Sequence, residues 1–534
     1  SEGRRRRRHS VEPRKGLRRI LRMISAFAQP SGPYGRPWRE TLSASAPATS
    51  PSQLTMEQRR LTKMTCTMGP SSWSPGMISQ LIDAGMTTLR LNFSHGDHDS
   101  HRRTLDNLRL ALADRDHAAL EQVAVMLDTK GPEIRTGMLE NGGTVALKQG
   151  QRLELTTDYS FLGNAEKIAC SYADLPRSVA VGSVILVADG ALALRVTEVQ
   201  EEGVICEVEN NAEIGERKNV NLPGAKISLP VLTEKDLDDV VSFAIPNEVD
   251  YIAASFVRTV EDVKFIREVL KNNGGDKIQI IAKIENQEGL ENYADILGEV
   301  DGIMLARGDL GMELAPEKLF LATKWMLEMA ARAGKPTIMA TQMLESMTAN
   351  PRPTRAECID VAQAVLDGSH CTMLSGETAK GAFPFIAART MARIASEAER
   401  TFLVEKRSLV PPSPAHALSA AELCRAAKAS LMVLLCPSES VEDEAELKAL
   451  VTSLSCLYLT CPCVVPTGCR RLARAISGMY RGIIGHHLEH PGVTETVLPW
   501  DSLQRAGLVA SDDTVVVMSG PRIQELQVRT QLVG

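Results

Sequence analysis

Lys283 and Glu285 stand two residues apart at the end of an apolar run, so in an extended strand both side chains project to the same side. A lysine there can offer a point positive charge to a phosphoryl group in transfer, and the glutamate can hold a hard cation. Asp309 supplies a second carboxylate, and two carboxylates with open positions for substrate oxygens is a common way to bind Mg²⁺. Gly308, just before it, lets the backbone approach a ligand closely. Asn92, Ser94, Asp128 and Thr129 form another set of oxygens with a single formal charge, better suited to a monovalent cation than to Mg²⁺. Arg90, Lys130 and Arg135 add positive charge close by in sequence. A clamp of this kind, which positions groups and neutralises charge, is what phosphoryl transfer asks of a protein. Thr341 also follows an apolar run; its hydroxyl could cap a helix or take part in the chemistry, and spacing leaves both open.

The elements that must carry these residues are eight short apolar runs, each stopping at a polar cluster. They are Lys63 to Met68, Thr88 to Leu91, Val123 to Leu127, Tyr251 to Ser255, Ile278 to Ala282, Gly302 to Leu305, Pro336 to Met339 and Cys371 to Leu374. Most precede an amphipathic stretch of helical length. Strand, polar tip and helix repeated eight times is the layout of a (β/α)₈ TIM barrel, whose chemistry sits at the C-terminal strand ends. One gap, from Leu127 to Tyr251, is too long for a loop. Inside it the period switches to alternation (Val145, Arg152, Val184, Ala193 and Val204 each open such a run), with Gly and Asp turn signals between. An inserted all-β domain, leaving and rejoining at the catalytic face, can act as a lid. Past a breaker at Pro411 to Pro414, helix-like Leu418 to Ser430 and strand-like Leu431 to Cys436, Cys463 to Pro466 and Thr514 to Met518 predict a C-terminal α/β domain. The expected divisions are a basic leader at 1–60, the barrel at 61–132 and 232–405, the lid at 133–231 and the C-terminal domain at 406–534.

Composition bounds the rest. The chain has 534 residues and a formal net charge of −6, which gives no hint of a nucleic-acid partner. No apolar run approaches the ~20 residues of a membrane span. Residues 1–55 hold twelve Arg and Lys against Glu2, Glu12 and Glu40, a composition that fits an organelle transit peptide or a disordered extension. Without cleavage and import, the expected location is the cytoplasm. The scattered cysteines fit reduced thiols, and Cys456, Cys461, Cys463 and Cys469 match no zinc spacing. His95, His98 and His101 are read as turn residues rather than as a metal site.

Several longer motifs then resemble one family. Leu89-Arg-Leu-Asn-Phe-Ser-His-Gly96, Leu127-Asp-Thr-Lys-Gly-Pro-Glu-Ile-Arg-Thr-Gly137, Ala282-Lys-Ile-Glu-Asn286, Asp301-Gly-Ile-Met-Leu-Ala-Arg-Gly-Asp-Leu-Gly311, Ala340-Thr-Gln-Met-Leu-Glu-Ser346, Pro351-Arg-Pro-Thr-Arg-Ala-Glu357 and Ser375-Gly-Glu-Thr-Ala-Lys-Gly381 are similar to those of pyruvate kinase, in the right order. The resemblance is specific from about Leu61 to Glu399 and weaker beyond. It implies phosphoryl transfer from phosphoenolpyruvate to ADP with Mg²⁺ (Mn²⁺ as a substitute) and K⁺. By the same resemblance, Arg90 and Lys283 would contact the transferred phosphate, and Glu285 and Asp309 would hold Mg²⁺. Asn92, Ser94, Asp128 and Thr129 would hold K⁺, which Glu133 also fits. Gly308, Asp309 and Thr341 would line the phosphoenolpyruvate site, with Thr341 or a water network through Ser375 serving the protonation step. Asn92, His95, Arg135 and Lys218 would face the nucleotide. A homotetramer is implied as well.

Departures from the family pattern concern the lid and the C-terminal domain. Ala188 stands where an Asp is usual, and Asn219 follows Lys218 where Gly is usual. The acidic stretch Cys436 to Glu444 replaces a Ser/Thr/Gly-rich effector loop and would repel a bisphosphate, so no activation by fructose bisphosphate is expected. Two alternatives compete with the main reading. One is a catalytically impaired regulatory paralogue; the other, a phosphoenolpyruvate/pyruvate barrel lyase, lacks the lid and the Asp128-Thr-Lys-Gly tip.

Overall fold

The computed structural model describes residues 60–113, 115, 122–402, 413–435, 441–457, 459–487, 500–505, 508–519 and 527–533. The basic leader and the 436–440 part of the acidic stretch lie outside these. Eight strands, β1 (Lys63–Thr67), β2 (Thr88–Asn92), β3 (Ala124–Asp128), β4 (Tyr251–Ala254), β5 (Gln279–Ile284), β6 (Gly302–Ala306), β7 (Thr337–Ala340) and β8 (Cys371–Leu374), pair in sequence order into a closed parallel barrel. Nearly every strand residue is buried, as expected where helices cover the outside and side chains fill the inside. Strand β5 runs on through Lys283 to Ile284, past the apolar run, because Lys283 and Ile284 pair with Met304 and Leu305 of β6. The ladder overrides local polarity there, and it holds the lysine in a fixed direction.

Between β3 and β4 the inserted domain forms a six-stranded and a two-stranded sheet around its own core, in which Leu153, Leu155, Ile185, Val187, Leu194 and Val204 alternate inward. Three of its strands, Lys167–Ala169, Ala212–Gly215 and Val220–Asn221, are too short to show alternation in sequence. The C-terminal domain carries a five-stranded sheet, four strands parallel and the last, Gln527–Leu532, antiparallel. Strands Ile483–His487 and Gln527–Leu532 were not expected from sequence; His486–His487 and Gln531 make their patterns polar at the ends. Among the described residues no helix is long and apolar enough to cross a membrane.

The helix Arg470–Met479 of this domain closes the base of the barrel. Met479 packs among the interior residues Ala124, Met126, Tyr251, Ile281 and Met304. The Tyr251 hydroxyl donates to the Ala475 carbonyl, and the hydroxyls of Thr87 and Thr88 donate to the Gly478 carbonyl at 3.0 and 3.1 Å. Gly478 is required here, since a Cβ would lie 2.6 Å from that of Ala124. At the edges of the contact, Asp250 pairs with Arg474 at 3.2 Å and Asp301 with Lys448 at 2.8 Å.

Lys63 is a costly group near this base. It is buried, its Nζ donates to the Ile483 carbonyl, and burial followed by the nearby Arg60 pushes its pKa down to about 7. The unfolded chain titrates near 10.5, so between pH 7 and 10.5 it binds more protons than the folded one, and stability rises with pH in that window. Replacing Lys63 by Met is expected to flatten that rise and to raise stability at pH 7 by about 1–3 kcal/mol, after the loss of one hydrogen bond. Urea unfolding at pH 7 and pH 10 would check this; equal pH slopes in the two proteins would contradict it.

Candidate active site

The C-terminal ends of β2, β3, β5, β6 and β7 open into a cleft of about 180 Å³ lined by Arg90, Asn92, Ser94, His95, Lys130, Glu133, Arg135, Lys283, Glu285, Asp309 and Thr341, among others. Lys283 is its hub. Its Nζ lies 3.0 Å from Asp128 Oδ1, 3.0 Å from Glu285 Oε1 and 2.7 Å from Ser255 Oγ. Burial alone would push this ammonium down, but Asp128 and Glu285 outweigh it and hold its pKa above the ordinary lysine value. The charge is therefore permanent and aimed into the cleft. Arg90 donates to Asp128 Oδ2 at 2.7 Å and to Thr67 Oγ1 at 2.8 Å, which sets a second cation beside the first. Asp128 keeps its pKa below the usual carboxylate range although burial works the other way, because Arg90 and Lys283 both face it.

Glu285 and Asp309 are the two carboxylates left facing each other. Burial raises both pKa values; the Asp128 charge raises Glu285 further while Lys283 opposes it, and the Glu285 charge raises Asp309, which is pushed up to about 7. Glu285 Oε2 is held by the Phe256 amide at 2.7 Å, and Phe256 takes a positive φ of 54° to present it. Among the described residues Asp309 takes no hydrogen bond or ion pair. Two desolvated, mutually repelling carboxylates, one without a partner, are a donor set that fits a divalent cation.

Thr341 meets the opposite wall. Its Oγ1 accepts from the Gly308 amide at 2.7 Å and donates to the Ala340 carbonyl at 2.7 Å, so the threonine is tied to the first turn of the helix Arg307–Glu313, which bears Asp309. Behind it, the buried Glu377 carboxylate accepts from the amides of Leu344 and Ser375 at 3.0 and 2.7 Å, and Ser375 Oγ is a buried hydroxyl without a partner among the described residues. Such an atom marks a place for an ordered water.

The monovalent-ion group is split by depth. Asn92 and Ser94 line the cleft, whereas Asp128 and Thr129 are buried below it. Thr129 Oγ1 accepts from the Ser255 amide at 3.0 Å and its carbonyl from Ser255 Oγ at 2.6 Å. His95 and Arg135 line the same side; Arg135 is steered by Glu133 at 2.9 Å and the Arg217 carbonyl at 2.8 Å. Lys218 is on the inserted domain with its side chain exposed, outside the residues lining the cleft. The two lid departures touch each other: the Ala188 N–H donates to the Asn219 carbonyl at 3.0 Å, and the Asn219 side-chain amide donates to Asp189 Oδ1 at 2.8 Å and accepts from the Asp189 N–H at 3.2 Å. That clasp stabilises Ala188 and Asp189, both at φ 55°.

Ser255 is the residue sequence reasoning passed over. It ends an apolar run at a strand tip like the others, and that position was the available signal. Arg307 and Glu377 were likewise quoted only inside motifs. The histidines do not converge: His101 Nε2 sits 2.9 Å from the His95 carbonyl, while His98 pairs with Asp239 at 2.8 Å. His98, Asp238 and Asp239 bring three ligand-type atoms within 4.8 Å of one another, but Lys235 Nζ, 2.6 Å from Asp239, already supplies the positive charge. The described cysteines are free thiols, most of them buried.

Comparison with known proteins agrees with this geometry. The family model "Pyruvate kinase, barrel domain" matches residues 59–388. Pyruvate kinase of Eimeria tenella is 53% identical over 383 residues, covering 70% of this chain and 71% of the relative. The cytosolic isozyme of Glycine max pyruvate kinase is 49% identical, covering 70% and 74%. A crystal structure of Cryptosporidium parvum pyruvate kinase superposes with a TM-score of 0.80 at 42% identity, covering 91% of this chain and 99% of that one. Another from that organism, in complex with ADP, gives 0.76 at 42% identity over 91% and 97%. With the barrel, the inserted β domain and the Lys283–Glu285–Asp309 cleft in place, the chain belongs to the pyruvate kinase family.

Proposed function

We propose that the chain transfers the phosphoryl group of phosphoenolpyruvate to ADP, giving pyruvate and ATP, as the last step of glycolysis. The observation that carries this is Lys283, held charged by Asp128 and Glu285 and pointed at the cleft that Asp309 also faces. Arg90 and Lys283 bind the phosphoryl group of the substrate, and Lys283 stays with it as negative charge spreads over its oxygens. The first helical turn at Gly308 and Asp309, tied to Thr341, seats the carboxylate end. Glu285 and Asp309 hold Mg²⁺ (Mn²⁺ as a substitute), which supplies charge neutralisation at the reacting oxygens. Asn92 and Ser94, with Asp128 and Thr129 beneath them, hold K⁺. The enolate left behind takes its proton at the methylene carbon, from Thr341 or from water held by Ser375.

ADP enters on the His95 and Arg135 side, and closure of the inserted domain would bring Lys218 to it. The Cryptosporidium parvum enzyme solved with ADP supports that partner. A homotetramer is favoured by the exposed Phe320, Leu321, Trp325 and Ile359 on the barrel's outer helices, an apolar face of the kind that subunits cover. The Glycine max relative favours the cytosol. The test is pyruvate release from phosphoenolpyruvate and ADP with Mg²⁺, with and without K⁺. Turnover that rises strongly with K⁺ is expected. Turnover indifferent to K⁺ would remove the Asn92, Ser94, Asp128 and Thr129 assignment, and no turnover from folded protein would favour the regulatory paralogue.

A further inference from the structure

Thr341 and Gln342, at the end of β7, are consecutive non-glycine residues with φ of 64° and 54°. That left-handed region is strained for side chains of this kind, and such a pair persists only where the surroundings over-determine it. One side chain supplies most of that restraint. The Arg307 guanidinium donates from Nη2 to the Thr341 carbonyl at 3.0 Å and from Nε to the Ala340 carbonyl at 3.3 Å, and Nη2 also reaches Met343 Sδ at 2.8 Å. The same Nη2, together with Nη1, meets Asp360, on the outer helix Arg355–Leu366, through two parallel bonds of 2.6 Å each. A fork of this kind fixes the plane and direction of a guanidinium as a single contact cannot.

We propose that Asp360 is a positioning residue for the reaction, acting through Arg307 on the backbone of Thr341, a role that rests on the reading of Thr341 as part of the substrate site. Asp360 does not line the cleft and Arg307 does not either. Their effect is geometric. With the carbonyls of residues 340 and 341 turned toward Arg307, the Thr341 hydroxyl stands where it meets the Gly308 amide at 2.7 Å. Without the carboxylate the guanidinium keeps its donors but loses its anchor. The turn can then relax toward ordinary φ values and carry Oγ1 away from Gly308. Arg307 is also two residues from Asp309 in the helix Arg307–Glu313, so the same fork links the Thr341 turn to the helical turn that bears the metal carboxylate. The helix carrying Asp360 also presents the exposed Ile359, so the anchor sits on the outer face of the barrel.

Asp360→Asn keeps size and one acceptor while removing the charge. It is expected to lower kcat/KM for phosphoenolpyruvate by about 10–100-fold, the scale of a misplacement of order 1 Å at a reacting group. Asp360→Glu is expected to recover most of the loss. The decisive measurement is a double-mutant cycle with Thr341→Ala. If Asp360 acts through Thr341, Asp360→Asn costs under about threefold once the hydroxyl is gone; losses that simply multiply would overturn the proposal, as would near-native activity of Asp360→Asn. A second readout needs no turnover and separates this idea from the activity assignment. A crystal structure of Asp360→Asn is expected to show Thr341 out of the positive-φ region. Retention of both residues there, with Oγ1 still on Gly308, would sink the clamp even if the enzyme is a working pyruvate kinase. Absence of wild-type turnover would instead count against the activity and leave the structural result to judge the clamp.

Discussion

Lys283→Met is expected to lower kcat by about 10³-fold or more, the scale seen when a preorganised charge on the transition state is removed from a water-poor site. Three contacts set this expectation. Asp128, Glu285 and Ser255 hold Nζ within 3.0 Å, so the ammonium pays no reorganisation when charge develops on the phosphoryl oxygens. Methionine fills the same space, and the strand that carries it is locked by its pairing to β6. Loss of the counter-ion to two buried carboxylates will lower stability, so thermal melting must accompany the kinetics. Lys283→Arg, which keeps the charge but not its position, is expected to fall between the two. Folded Lys283→Met with turnover within tenfold of the wild type would show that this lysine is not the group that stabilises the transferred phosphate.

The second large effect is expected at Asp128→Asn. Asp128 is the common counter-ion of Arg90 and Lys283, at 2.7 and 3.0 Å, and it is almost fully buried. Removing its charge takes the acidic partner from Arg90 and leaves Lys283 with Glu285 alone, both cations out of water. The cost of breaking such a buried pair from one side is about 3–5 kcal/mol, whatever the intact cluster contributes on balance. The sign with pH follows from its lowered pKa. The unfolded carboxyl takes a proton near pH 3.9 while the folded one still resists. The stabilisation is therefore complete above that value and is lost as pH falls through the folded pKa. In Asp128→Asn the acid limb of the stability curve is expected to be shallower, alongside the loss at pH 7. Denaturant unfolding at pH 7, at pH 4 and at about pH 3 measures both. A loss below about 1 kcal/mol at pH 7 would mean that water or a relaxed Arg90 compensates, against the burial observed.

The barrel was legible because its code is local. Eight apolar runs, each ending at a polar cluster, state where strands stop and where the reactive ends lie, and all eight became barrel strands. Lys283 and Glu285 could be paired from a spacing of two alone, and the structure has them 3.0 Å apart. The inserted domain was legible from its change of period. What escaped notice was short or non-local. Strands such as Val220–Asn221 give too few residues for a period, and Ile483–His487 ends in histidines that break the apolar signal. Ser255 reads as an ordinary strand end until Asp128, Thr129 and Lys283 are brought round it from two other strands.

Sequence by itself determined the family-level chemistry: which residues are charged, which strand tips bear them, and that Lys283 and Glu285 project to one side of their strand. Tertiary structure alone decided the charge states and the restraints. Lys283 stays protonated and Asp309 is raised to about 7 because burial and neighbours distant in sequence set the electrostatic balance. Thr341 holds a strained backbone because an arginine 34 residues earlier in the chain is anchored by an aspartate from an outer helix. Spacing along a strand encodes direction, whereas field and strain depend on what closes round the side chain, and that exists only once the barrel is shut.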